Sequence, residues 1–243
     1  MTPDLSADAR RRETVAMLRA NPVFAQLPER DVDALAAAAR RDVVPAREYV
    51  FAEGDVAHWL CIVHSGRVKI VRQTRGGKEV TLELLGPGEV FGGVAVIEHR
   101  PYPASAQATE PSVIVKLPSE AIASLAERHP SIIREMALMI GRRLRTAHDS
   151  VTSLAADPVE ARLAATLLRL ADRDGQRTAH GVALPFHLTR QGLGDMAGTT
   201  VETTIRIMRK WIKRGLVADD AGHVVLTNVA GLRALTSDHG DPA

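Results

Sequence analysis

One cysteine, Cys61, is all that this chain of 243 residues carries. An internal disulfide framework, a four-cysteine zinc site and a four-cysteine iron–sulfur cluster are thereby excluded, and a reducing cytoplasm is the simplest compartment. Aromatic residues are also scarce, at 3%, so Val, Ile and Leu must fill any core. No apolar run approaches the ~20 residues that span a bilayer. The opening MTPDLSADARRRETV has no apolar centre of the kind a secretion signal needs. The expectation is a cytoplasmic chain without a membrane partner. A large charge excess is missing too: 31 basic residues face 29 acidic ones, net +2, so a nucleic-acid surface must arise from local placement. G-x-S-x-G, a Walker loop and the H-x-H of cupin metal sites are all absent, which argues against an enzyme.

What the chain does contain is Leu188 to Leu216, LTRQGLGDMAGTTVETTIRIMRKWIKRGL, which reads as two short helices joined by a tight turn. Thr189 can cap the first helix, Gly198 can take the positive φ of the turn, and Thr199 or Thr200 can cap the second. Leu193, Ala197, Ile207 and Trp211 are spaced to share one small core, and Gly194 would let the helices approach closely. Arg206, Arg209, Lys210, Lys213 and Arg214 lie along the second helix against the single acid Glu202, a phosphate-seeking surface.

The length suits two domains of the usual ~100 to 150 residues. Ser6 is a candidate cap for a helix through Thr14 and Leu18, and Pro28 precedes an acid-opened helix reaching about Ala39. From Asp42 to Leu117, short apolar or alternating runs separated by Gly and Pro predict an antiparallel β-roll of ~8 strands, wide enough for one small ligand. Ser119 to Glu127 reads as a brief helix. Pro130 then opens a long one, along which Ile133, Ile140, Ala147 and Leu154 recur every seven residues and Ala137, Leu144 and Val151 follow four residues after. This is the seam of a parallel coiled-coil homodimer, or a helix face packed on its own domain. Asp157 as cap and Pro158 as first residue start the next helix, with a hinge between domains there. A polar segment, a strand VALPFHL, a two-stranded wing turning at Ala221-Gly222, a helix capped by Thr227 and a disordered tail SDHGDPA complete the chain.

In this order the parts resemble the regulators grouped with the cyclic-AMP receptor protein and the fumarate and nitrate reduction regulator, over roughly Phe24 to Leu235. T-R-Q, A-G-T-T and E-T-x-x-R carry the resemblance, supported by GPGEVFGG and PASAQA. It implies an α+β fold: an N-terminal β-roll sensor (1–127), a dimerisation helix (128–156) and a C-terminal winged helix-turn-helix (157–243). It also implies a homodimer on double-stranded DNA, with RNA polymerase as a further partner. Glu202 and Arg206 match residues that read cytosine and guanine edges. Thr189, Arg190, Gln191 and Thr200 match phosphate-holding positions, to which basic Arg209 and Lys210 are added. Val201 agrees with the fumarate and nitrate branch, so the expected half-site is TTGA-like rather than TGTGA, with Ile205 able to meet a thymine methyl. Thr204 stands where relatives bury an aliphatic.

The family's effector pocket maps to Phe91, Gly92, Gly93, Val94, Ala104 and Ser105. Gly93 stands in place of the glutamate, and Ala104 in place of the arginine, that hold a cyclic nucleotide. A phosphate buried without a cation is costly, so cyclic AMP is disfavoured; Arg100 is the nearest substitute. The N-terminal cysteines of the iron–sulfur branch are absent. Haem stays open through His58, His64 or His99, although strand alternation turns His58 and His64 away from Cys61. Cys61 reads as a buried apolar residue. The expected function is therefore a DNA-binding regulator switched by a small-molecule or gas effector in the β-roll. The alternatives are a regulator controlled by abundance alone, or a scaffolding protein whose helix-turn-helix contacts protein.

Overall fold

A computed structural model describes residues 7–74, 76–77, 79–220 and 223–237. The chain folds as two compact units, Met1–Arg143 and Leu144–Ala243.

The first unit opens with α1 (Ala7–Ala20) and α2 (Glu29–Ala38). Eight strands follow: β1 (Arg40–Val44), β2 (Tyr49–Phe51), β3 (Trp59–Ser65), β4 (Val68–Gln73), β5 (Glu79–Leu85), β6 (Val90–Phe91), β7 (Ser105–Ala108) and β8 (Ser112–Pro118). They form two four-stranded antiparallel sheets in the orders β1-β8-β3-β6 and β2-β7-β4-β5. The run LCIV in β3 shows why the roll closes. Cys61 and Val63 face its interior with Val50, Val68, Leu85 and Ile114, while Leu60 and Ile62 join the helical layer of Leu18, Phe24, Leu35 and Ile122. A strand covered on both faces reads as a continuous apolar run rather than an alternation.

Helices α3 (Gly93–Glu98) and α4 (Ser119–Arg128) also belong to this unit, and the 27-residue α5 (Pro130–Ala156) begins in it and ends in the second. Helix α3 differs from the β texture read into FGGVAV: Gly92 turns the chain at φ 75°, and Gly93, Ala95 and Val96 are buried in the turn that follows.

The second unit contains α6 (Val159–Asp174), β9 (Gln176–Thr178), β10 (Gly181–His187), α7 (Arg190–Met196), α8 (Val201–Lys213), β11 (Val217–Asp220), β12 (His223–Leu226) and α9 (Val229–Ser237). The strands form one sheet ordered β11-β12-β10-β9. The segment read only as polar thus supplies β9, an exposed edge strand whose partner is β10. Two expected caps move by one residue. Pro158 rather than Asp157 caps α6, because the Asp157 carboxylate accepts from the Ser153 hydroxyl instead. Asn228 rather than Thr227 caps α9: Asn228 Oδ1 accepts from the Gly231 amide at 2.7 Å, while the Thr227 hydroxyl donates to the Gly215 carbonyl. Ser6, the Ala221-Gly222 turn and residues 238–243 lie outside the described residues.

Candidate nucleic-acid interface and β-roll cavity

Helix α7 begins where the Thr189 hydroxyl accepts from the Gly192 amide at 3.0 Å, and α8 where the Thr200 hydroxyl accepts from the Thr203 amide at 3.3 Å. Between them Gly198 adopts φ 62°. A side chain there would be strained and would also run into Leu154 of α5. Leu193, Ala197, Ile207 and Trp211 are all buried and lock the two helices together, joined by Met208.

Thr204 is fully buried, and its hydroxyl donates to the Thr200 carbonyl at 2.9 Å. A Cβ at Gly194 would lie 2.7 Å from that hydroxyl oxygen. The polar residue at an aliphatic position is therefore accommodated by the missing side chain across from it.

The other face of α8 is open. Glu202, Arg206, Arg209, Lys210, Lys213 and Arg214 are exposed, Val201 and Ile205 half-exposed. A concavity of about 730 Å³ is lined by Glu202, Ile205, Arg206, Arg209, Lys210, Lys213 and Arg214. Glu202 and Arg206, one helical turn apart, are not among the ion pairs of the described residues. The Glu202 carboxyl is held below its ordinary value, first by the amide of its own residue and then by the Thr200 hydroxyl. It is therefore an ionised acceptor at neutral pH, which is what a cytosine amine requires.

Several expected phosphate ligands have partners within the chain. Arg190 pairs with Asp219, and Gln191 donates to Asp195 at 2.7 Å. Lys210 Nζ lies 2.9 Å from Glu160 Oε2, and Arg214 lies 3.8 Å from Glu160 Oε1. Glu202 is thus not the only acid at this surface, because Glu160 reaches it from α6 and also accepts from the Trp211 indole N–H at 2.9 Å. Burial raises the Glu160 carboxyl pKa, but the bonds from Lys210 and Trp211 outweigh burial and leave it below its ordinary value. Sequence spacing gave no signal for this residue: it reads as an ordinary first-turn acid, and its partners lie some fifty positions away.

In the β-roll, a cavity of about 380 Å³ is lined by Val50, Phe51, Asp55, Val56, His58, Trp59, Cys61, Tyr102 and Lys116. Phe51 stacks on Tyr102, with ring centroids 3.6 Å apart, and the Tyr102 hydroxyl donates to the Trp59 carbonyl at 2.6 Å. Lys116 is the cation here, and it is paired with Asp42 at 2.8 Å.

None of the six residues at the family's effector positions is part of this lining. Phe91 is buried 5.8 Å from Phe51, Val94 is exposed, Ala104 is buried, and the Ser105 hydroxyl accepts from the Glu53 amide. Gly92 and Gly93 are hemmed in: a Cβ at Gly92 would lie 3.0 Å from the Tyr102 ring, and one at Gly93 2.7 Å from the Met136 methyl. The place of the nucleotide-binding glutamate is packed by apolar atoms, and Arg100 is exposed outside the lining. The histidines do not converge. His58 borders the cavity, His64 stands 3.6 Å from Glu13, and His99 ends α3 at φ 52°. Among the described residues no three His, Cys, Asp or Glu side chains are grouped to hold a metal ion. The buried Cys61 thiol has its pKa pushed up to about 12 by desolvation.

Residues 41–129 match the cyclic nucleotide-binding domain, and residues 161–235 match the Crp-like helix-turn-helix domain. The cyclic AMP receptor protein of Thermus thermophilus is 30% identical over 218 residues, covering 90% of this chain and 98% of that protein. The chain belongs to the CRP/FNR family. The fumarate and nitrate reduction regulatory protein of Salmonella typhi is 27% identical over 196 residues, covering 81% of this chain and 78% of that protein. The structure of FixK2 from Bradyrhizobium japonicum shares the fold, with a TM-score of 0.73 at 23% identity over 84% of this chain and 99% of that one. Like the family's other members, this protein is a transcription regulator with a DNA-binding helix-turn-helix. No helix among the described residues is long and apolar enough to cross a membrane.

Proposed function

We propose that two copies of this regulator pair along α5 and read a palindromic TTGA-like operator, with Glu202 and Arg206 on the base edges. The observation that carries this reading is the disposition of α8. Its buried side is filled by Ile207, Met208 and Trp211, and it presents Glu202 and Arg206 outward without pairing them to each other. Thr189, Arg190, Gln191, Thr200, Arg209 and Lys210 are the assigned phosphate contacts; Val201 and Ile205 flank the reading pair.

Pairing along α5 is supported by its two faces. Ile132 and Met136 are buried, whereas Ile133, Ala137, Ile140, Leu144, Ala147, Val151 and Leu154 are all exposed in the single chain. Apolar residues repeating at this period stay in water unless a second helix covers them. In this reading residues 1–127 sense, 128–156 pair and 157–243 bind DNA, in the cytoplasm and with RNA polymerase as partner.

The effector is a small molecule other than cyclic AMP, taken up in the cavity walled by Phe51, Trp59 and Tyr102. Its volume is within the range of small-molecule sites, and the cyclic-nucleotide anchors are replaced by Gly93 and Ala104. The test has two parts. Sedimentation should give a dimer that binds a TTGA palindrome more tightly than a TGTGA one at the same salt; a monomer, or equal affinity, refutes the reading. Native mass and absorption spectra of protein purified without oxygen then identify the occupant of the β-roll, and tight cyclic-AMP binding would overturn the effector assignment.

A further inference from the structure

The first turn of α6 holds both helices of the DNA-reading motif at once. Arg162 Nε donates to the Ala197 carbonyl at 2.9 Å, Nη2 to the Gly198 carbonyl at 3.1 Å and Nη1 to the Asp157 carbonyl at 2.8 Å. Two of these carbonyls end α7 and form its turn into α8, where the helix leaves acceptors unsatisfied and carries partial negative charge. The third belongs to the residue just before the Pro158 cap. Two positions away on the same turn, Glu160 accepts from Trp211 and Lys210 of α8, each at 2.9 Å.

We propose that Arg162 and Glu160 are positioning residues for operator reading. They bracket α7, the turn and α8 to the start of α6, so that the recognition helix is carried rigidly by the chain entering from α5. The three carbonyls are met by three different nitrogens of one planar fork; a lysine has three donors but all on one nitrogen, so it cannot span the same spread of acceptors. Leu154, lying against the Gly198 turn, adds an apolar stop on the same side. This inference rests on the paired half-site reading above, since rigid placement matters most where two recognition helices must meet half-sites at one separation.

The test uses the full chain with Arg162→Gln and Arg162→Lys. The probes are TTGA/TCAA palindromes with half-site centres about ten base pairs apart, and the same duplexes one base pair longer or shorter. Wild type should prefer the first spacing by about tenfold or more. Arg162→Gln should reduce that preference to about threefold or less, and Arg162→Lys should regain part of it, since each lost charge-assisted bond is worth about a factor of ten. Affinity that falls equally on all three spacings, leaving the preference intact, means that the bonds only stabilise the fold and overturns the proposal. Amide exchange judges the bracket without reference to any operator. The Gly198 and Thr199 amides, bonded to the Asp195 and Gly194 carbonyls, should exchange about tenfold faster in Arg162→Gln and less so in Arg162→Lys. Unchanged exchange there also overturns the bracket. Faster exchange in a protein whose wild type ignores spacing supports the bracket and counts against the paired half-site reading. If Arg162→Gln does not fold, Arg162→Lys carries both readouts.

Discussion

Replacing Gly194 by alanine sets two effects of known size against each other. In a helix interior alanine is favoured over glycine by about 0.8–1.0 kcal/mol. Against this, the new Cβ would lie 2.7 Å from Thr204 Oγ1, 3.3 Å from the Thr199 carbonyl oxygen and 3.4 Å from that of Thr200. Thr204 is fully buried and its hydroxyl is bonded to Thr200, so it cannot swing aside without losing that bond. Overpacking of this kind costs about 1–3 kcal/mol, which leaves Gly194→Ala destabilised by about 0–2 kcal/mol once the propensity gain is subtracted. Thr204→Ala removes the obstructing hydroxyl. In that background the same substitution should be neutral or stabilising by up to about 1 kcal/mol, giving a coupling of about 2 kcal/mol. Urea unfolding of the four proteins in the cycle measures it. Additivity within about 0.5 kcal/mol would refute the contact between α7 and α8 as the reason for glycine at this position.

Other perturbations test separate parts of the account. Glu160→Gln should steepen the dependence of DNA affinity on salt by about one unit of log–log slope, because the Lys210 contact with phosphate is then no longer made at the expense of its ion pair with Glu160. Its effect on stability has a defined pH sense: a carboxyl held below its ordinary value stabilises the fold above the unfolded pKa, and that contribution is lost as pH falls through the folded one. The difference between wild type and Glu160→Gln in thermal unfolding should therefore be full at pH 7 and shrink below about pH 4. A difference that grows in acid would contradict the Lys210 and Trp211 bonds. Leu144→Glu places a charge in the exposed stripe of α5 and should give a folded monomer by sedimentation; an unchanged dimer would locate the pairing surface elsewhere. The Cys61 thiol, raised to about 12 by burial, should resist thiol reagents at pH 8 until the protein unfolds, and rapid stoichiometric labelling of native protein would contradict that burial.

How much was legible in the sequence depended on whether the deciding signal was local. The caps at Thr189 and Thr200, the turn at Gly198 and the shared core of Leu193, Ala197, Ile207 and Trp211 depend on short spacings, and each was readable. So were strands β2 to β8, because glycine and proline punctuate them, whereas β1 follows α2 with no such break. Thr204 looked anomalous only because its explanation, the absent side chain of Gly194, lies on the neighbouring helix. Glu160 and Arg162 carry no local signal, since the carbonyls and side chains through which they hold α7 and α8 are thirty-five or more positions away. In the β-roll, family position pointed to Phe91, Gly92, Gly93, Val94, Ala104 and Ser105, whereas the cavity is walled by Phe51, Trp59 and Tyr102. Tyr102 sits against Gly92 and Met136 against Gly93. Which side chains fill the space left by missing charged anchors is a matter of packing, and strand pattern alone does not reveal it.

In the proposed complex Arg206 reads a guanine in each half-site. The most direct measurement of this contact is the affinity of wild type and Arg206→Ala, at one salt concentration, for a TTGA palindrome and for the same duplex with that guanine pair replaced. Wild type should lose about 1–3 kcal/mol per replaced pair, while Arg206→Ala should bind both duplexes about equally. An alanine variant that keeps the wild-type preference for guanine would contradict the account.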